Sequence, residues 1–106
     1  MSKAVLTRAF QPGTSATSAH SATANTTIDA ACVCNPTGTD ANLSVWIVPQ
    51  NGTAGNANKV YHQIAVNGGQ TVLLPALVNQ ALANGETLQM SASAAGTLTV
   101  TVSGRK

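Results

Sequence analysis

The chain has 106 residues, the length of one domain, and only 8% of them are charged, against the roughly 25% usual for soluble domains. The net charge is +2, from Lys3, Arg8, Lys59, Arg105 and Lys106 against Asp29, Asp40 and Glu86. Cations gathered at the termini leave a weak footprint for nucleic acid, no stretch is long enough for an apolar membrane span, and alternating apolar residues at low charge exclude a disordered chain.

A surface so poor in charge is either polar but uncharged, made of Thr, Ser, Asn and Gln, or covered by neighbours in an assembly. The second reading is the expectation carried forward, with a homo-oligomer as its simplest form. The opening MSKAVLTRAF is not a signal peptide, because Ala4 to Leu6 is too short an apolar run and Arg8 interrupts it. The expectation is a protein that stays in a cytoplasm unless an assembly carries it out.

Residues 2–10 read as a first strand or an extended arm, ended by Pro12-Gly13. Residues 14–25 are small and polar and read as a weak edge strand, with Ala16, Ser18 and His20 on one side. The first 25 residues are thus an arm or edge strand, and 26–106 the main body of one domain. Over 26–35 the alternation puts Ile28, Ala30, Cys32 and Cys34 on one face and Thr27, Asp29, Ala31 and Val33 on the other. The two cysteines then read as small buried side chains.

Residues 41–50 form the strongest strand, with Leu43, Val45 and Ile47 on one face and Trp46 and Val48 on the other. Residues 51–59 are a Gly/Asn-rich loop. Residues 60–66 give a strand with Val60, His62, Ile64 and Val66 together, which packs His62 among aliphatics. After the Asn67-Gly68-Gly69 turn comes a short strand at 70–74. Residues 75–82 lose the period of two, and Pro75 there predicts one short helical turn. The end, from Asn84, reads as a hairpin: Leu88, Met90 and Ala92 return as Leu98, Val100 and Val102 around Ala94-Ala95-Gly96, with one clean Thr/Ser side. About seven to eight short strands predict an all-β, single antiparallel β-sandwich of jelly-roll or immunoglobulin-like type.

Chemistry is sparse. Asp40 and Glu86 sit in turn contexts and Asp29 reads as solvent-facing, so no carboxylate pair suggests itself. Cys32 and Cys34 with His20 and His62 would make a poor zinc site, since C-x-C on one strand is not the usual knuckle. No phosphate loop or nucleophile elbow is present. No catalytic residue, metal ligand or cofactor is therefore expected. Trp46 and Tyr61 could form a sugar-binding or stacking platform, but such platforms present several aromatics and this chain has three in all. The residues singled out as interface candidates are Lys3, Arg8, Trp46, Tyr61, Arg105 and Lys106, the last two as cations for an acidic partner.

Four stretches carry a resemblance: CVCN (32–35), SVWIVP (44–49), NGGQTVLLPALV (67–78) and LANGETLQMSASAAGTLTVTVSG (82–104). In order and character they resemble the small β-sandwich virion proteins of tailed bacteriophages. The likeness runs over residues 26–104, and the small, polar first 25 residues depart from it. It implies a non-enzymatic virion protein assembled in a bacterial cytoplasm. The implied partners are the major capsid protein, for a decoration or cement protein, or alternatively tail or baseplate proteins. It transfers no catalytic residue, and a carbohydrate-binding module stands as the reading from another class.

Overall fold

Val, Ile, Leu and Thr at period-two spacing give nine strands among residues 3–106, which the computed structural model describes. They are β1 (Lys3–Phe10), β2 (Thr17–Ser21), β3 (Thr26–Cys34), β4 (Ala41–Val48), β5 (Lys59–Val66), β6 (Thr71–Leu73), β7 (Ala81–Leu82), β8 (Thr87–Ala92) and β9 (Thr99–Arg105). Residues 1 and 2, the start of the expected arm, lie outside the described residues. One sheet, A, has the order β1-β9-β3-β6, with β7 also on β3; the other, B, has the order β2-β8-β4-β5. Every pairing is antiparallel.

With the two-residue β7 set aside, the pairings nest: β1 with β9, β2 with β8, β3 with β6 and β4 with β5. A long hairpin rolled up on itself gives this arrangement, the two Greek keys of a jelly roll. The protein is thus an all-β antiparallel sandwich, as its patterning predicts. Between the sheets lie Ile28, Val33, Leu43, Val45, Val66, Leu74, Leu77, Leu82, Leu88, Met90, Leu98, Val100 and Val102, none of them solvent-accessible. The first 25 residues supply an edge strand to each sheet. The two edges are tied where the Thr7 hydroxyl donates to the Ala19 carbonyl (2.9 Å) and His20 Nδ1 meets the Leu6 carbonyl (3.0 Å).

Three expectations are corrected. The C-terminal stretch is not a hairpin, because β8 lies in sheet B and β9 in sheet A, and Ser93 to Leu98 cross between them. Their apolar sides face each other through the core, where a hairpin would set them side by side. Either arrangement buries Leu88, Met90, Val100 and Val102, so the period of two cannot tell them apart. The single Thr/Ser side is in consequence split between opposite outer surfaces of the sandwich.

The faces of β3 change partway. Its register on β9 steps from Ile28↔Gly104 to Ala30↔Ser103, so Asp29 is an extra, bulged residue. After it Ala31 and Val33 point inward, and Ala30, Cys32 and Cys34 point outward. The cysteines are thus half-buried, free thiols on the outside of sheet A and not core residues. In β5 the register on β4 steps from Leu43↔Ile64 to Val45↔Tyr61, three residues against two, with Gln63 at φ +47°. Tyr61 and Ile64 face the core, while His62 is exposed and not packed. The short helical turn expected within 75–82 is present as a 3₁₀ turn at Pro75–Leu77, after which Ala81–Leu82 are held extended against Thr26–Thr27.

Candidate docking surfaces

The carboxylates are engaged in holding the fold. Asp29 Oδ2 accepts from Arg105 Nε at 2.9 Å, pairing the bulge of β3 with the end of β9. Asp40 Oδ1 accepts from the Gly68 amide (3.0 Å), joining two loops, and Glu86 Oε1 accepts from the Ala83 amide (2.7 Å), closing a turn. The first of these belongs to a clasp at one end of the sandwich. Asn35 is fully buried; its Nδ2 donates to the carbonyls of Thr39 and Val66, and its Oδ1 accepts from the amide and the hydroxyl of Thr37. Gly68 approaches Gly38 so closely that a Cβ would lie 2.7 Å from the Gly38 carbonyl carbon. The CVCN and NGG stretches of the sequence are therefore neighbours in space, joined as a structural clasp.

His20 is bonded to the Leu6 carbonyl through Nδ1, and its Nε2 is buried with no partner among the described residues. Burial pushes its pKa below the ordinary 6.5, and the Lys106 charge adds to that, against the Leu6 carbonyl, which favours the proton. His62, on β5 at the far edge of the same sheet, accepts from Lys59 Nζ at 2.8 Å. Among the described residues, no three of His, Cys, Asp and Glu gather as metal ligands would.

The outer side of sheet B carries Asn42, Ser44 and Trp46 along β4, beside Gln89 and Ser91 of β8. The Lys59 ammonium sits over the Trp46 ring, 5.1 Å from its centre, a cation–π contact that covers one face of the indole. Trp46 Nε1 is buried without a partner among the described residues. Beyond Trp46, a groove of about 200 Å³ opens among Thr14, Asn42, Ser44, Gln63, Ser91 and Ser93. Its groups are hydroxyls and carboxamides. The β5 bulge brings Gln63 there, its amide donating to Ser44 Oγ at 3.0 Å.

The outer side of sheet A differs in character. Three rows cross its strands: Val5, Ser103 and Ala30; Thr101, Cys32 and Leu73; Thr99, Cys34 and Thr71. None of the nine is charged. Leu73 is 74% exposed and Val5 53%, the two largest exposures among the sizeable aliphatic side chains. Beside Leu73 lies a shallow depression of about 150 Å³, lined by Ala30, Ala31, Cys32, Thr101 and Ser103.

The six residues singled out from the sequence do not converge. Lys3 and Arg8 are exposed on β1, and Lys3 lies opposite Arg105 in the β1–β9 ladder. Arg105 meets its acid within the chain, in Asp29, and Lys106 is exposed beyond it. Trp46 lies half-buried under Lys59 on the other sheet. Tyr61 leans on the core, its hydroxyl accepting from the Ala76 amide at 2.8 Å. Sequence reasoning missed Leu73, Val5 and the outward turn of Ala30 and Cys32. The pair Leu73-Leu74 signals that one leucine of an alternating strand must face out, but not which. Comparisons of this jelly roll with models of protein families, with curated proteins and with solved structures found no match.

Proposed function

We propose that this protein is a non-catalytic structural unit that docks through its surface into a larger protein assembly. The assembly we propose is the virion of a tailed bacteriophage, with the chain on the capsid surface as a decoration or cement protein. A tail or baseplate position is the alternative. The observation that carries the docking part is the three uncharged rows on the outer side of sheet A, with Leu73 and Val5 standing out of them. A lone soluble domain protects such a patch with charge, whereas a partner that buries it converts it into binding energy at no electrostatic cost. The resemblance of residues 26–104 to phage virion proteins supports the choice of assembly. Jelly rolls serve in viral capsids but also in lectins and cupins, so the fold alone does not choose.

Many identical copies on a symmetric lattice would act mechanically, each adding weak contacts across a seam. The test is quantitative mass spectrometry of purified tailed-phage particles. Copy numbers near those of the major capsid protein support the capsid position; a few to a few dozen copies move the chain to the tail. Absence from particles overturns the virion reading.

The neutral groove beside Trp46 favours the second reading, a carbohydrate-binding module. Lys59 weighs against it, since it occupies the indole face on which a sugar would stack. Binding on a glycan array, lost in Trp46→Ala, would establish that reading in place of docking.

A further inference from the structure

We infer that the outer side of sheet A is a self-complementary interface, and that its occupant is a second copy of this chain. The inference rests on the docking reading above and names the partner. Three observations carry it.

The first is shape. One face holds both a knob, Leu73, and beside it a depression of about 150 Å³ lined by Ala30, Cys32, Thr101 and Ser103. A cavity of roughly that volume is what a large aliphatic side chain vacates when cut back to alanine. A knob and its hole on the same surface are what a two-fold interface requires, since each copy then offers the other what it needs.

The second is charge. The nine residues of the three rows are neutral, so two copies meet without repulsion. Arg105 and Lys3 lie at one end, where Arg105 is already paired with Asp29, and Arg8 stands on the β1 margin between the Thr7 and Phe10 pairings. A two-fold axis lying in the interface and oblique to the strands lets each Leu73 reach the partner's β3 and β9, and carries that end away from the same end of the partner. Like charges are thereby kept apart.

The third is area. The molecule measures 38 × 28 × 19 Å, and the short dimension suits two stacked sheets. A broad side of 38 × 28 Å offers on the order of 1,000 Å², above the roughly 800 Å² per partner that a standard stable interface buries. Each Leu73 fills the other copy's depression, Thr101 and Cys32 pack at the centre, and Val5 closes the β1 side.

The experiment is sedimentation equilibrium of the full chain over micromolar concentrations, beside Leu73→Asp and Thr101→Arg. Both positions are exposed in the single chain, so circular dichroism and the melting midpoint of the dilute variants should match the wild type. The expected result is a wild-type dimer and a dissociation constant roughly 100-fold weaker in either variant, the size of losing a central anchor. In a Cys34→Ser background, a short bis-maleimide should link Cys32 to Cys32 in the dimer, and Leu73→Asp should abolish the link. A monomeric wild type, or a dimer that both variants leave intact, overturns the inference. A monomer that still enters particles overturns this inference and leaves the virion reading standing. A sheet-A dimer absent from particles supports this inference and overturns the virion reading.

Discussion

Asn35 uses all its side-chain hydrogen-bonding capacity inside the protein, and no water is needed to complete it. Replacing it with leucine, of similar size, removes the partners of the buried Val66 carbonyl and the Thr37 amide, while the Thr39 carbonyl keeps the Thr37 hydroxyl. Leaving buried groups unpaired costs about 1–3 kcal/mol each, so Asn35→Leu should lower stability by about 3 kcal/mol in urea unfolding. His20 gives a dependence on pH. The Leu6 carbonyl can only accept, so Nδ1 carries the proton of the neutral ring and Nε2 is bare. A second proton on Nε2 would have no acceptor among the described residues, and the folded-state pKa lies below 6.5. The unfolded chain therefore binds that proton first as pH drops. Stability is full above about pH 6.5 and is lost as pH falls through the folded pKa. The melting temperature should fall between pH 7.5 and 5.5, and His20→Asn should flatten that fall.

Elements here are set by bulges as much as by alternation. In β3, Asp29 shifts the faces by one residue, which puts Val33 in the core and Cys34 outside. Val33→Ala should cost about 2 kcal/mol and Cys34→Ala under about 1 kcal/mol, the reverse of what an uninterrupted alternation predicts. Opposite the bulge, Gly104 leaves no room: a Cβ there would lie 2.2 Å from the Thr27 carbonyl oxygen. Since that neighbour is backbone, Gly104→Ala must push β3 and β9 apart, with an expected loss of about 3 kcal/mol by thermal unfolding. Both signals were present in the sequence, but Asp29 reads equally well as an ordinary strand residue and Gly104 as a chain-end glycine. A bulge is a property of two paired strands, and one strand's residues do not reveal it.

The whole molecule is closed by its two ends. β9 lies between β1 and β3, so a strand late in the sequence completes the sheet that β1 begins. Truncation before Thr99 should therefore abolish cooperative unfolding, leaving no sharp melting transition, whereas a mere docking tail would be dispensable. Pairings that join residue 3 to residue 105 also require closing nearly the full chain. Refolding followed by the single Trp46 should fall in the millisecond-to-second range of β topologies.

The sequence by itself determined the class and most of the core. Its low charge, its turns and its alternation predict an antiparallel sandwich, and Leu43, Val45, Leu88, Met90, Val100 and Val102 are buried as that alternation requires. Burial is a local property of a strand's two sides, so a linear pattern can carry it. Which sheet each strand joins is not local. Leu98 buries the same surface whether the chain turns back in a hairpin or crosses to the other sheet, and the tertiary structure alone chose the crossing. The same holds for the docking surface: Val5, Thr101, Cys32 and Leu73 are distant in sequence and share one outer side only because β1, β9, β3 and β6 share a sheet.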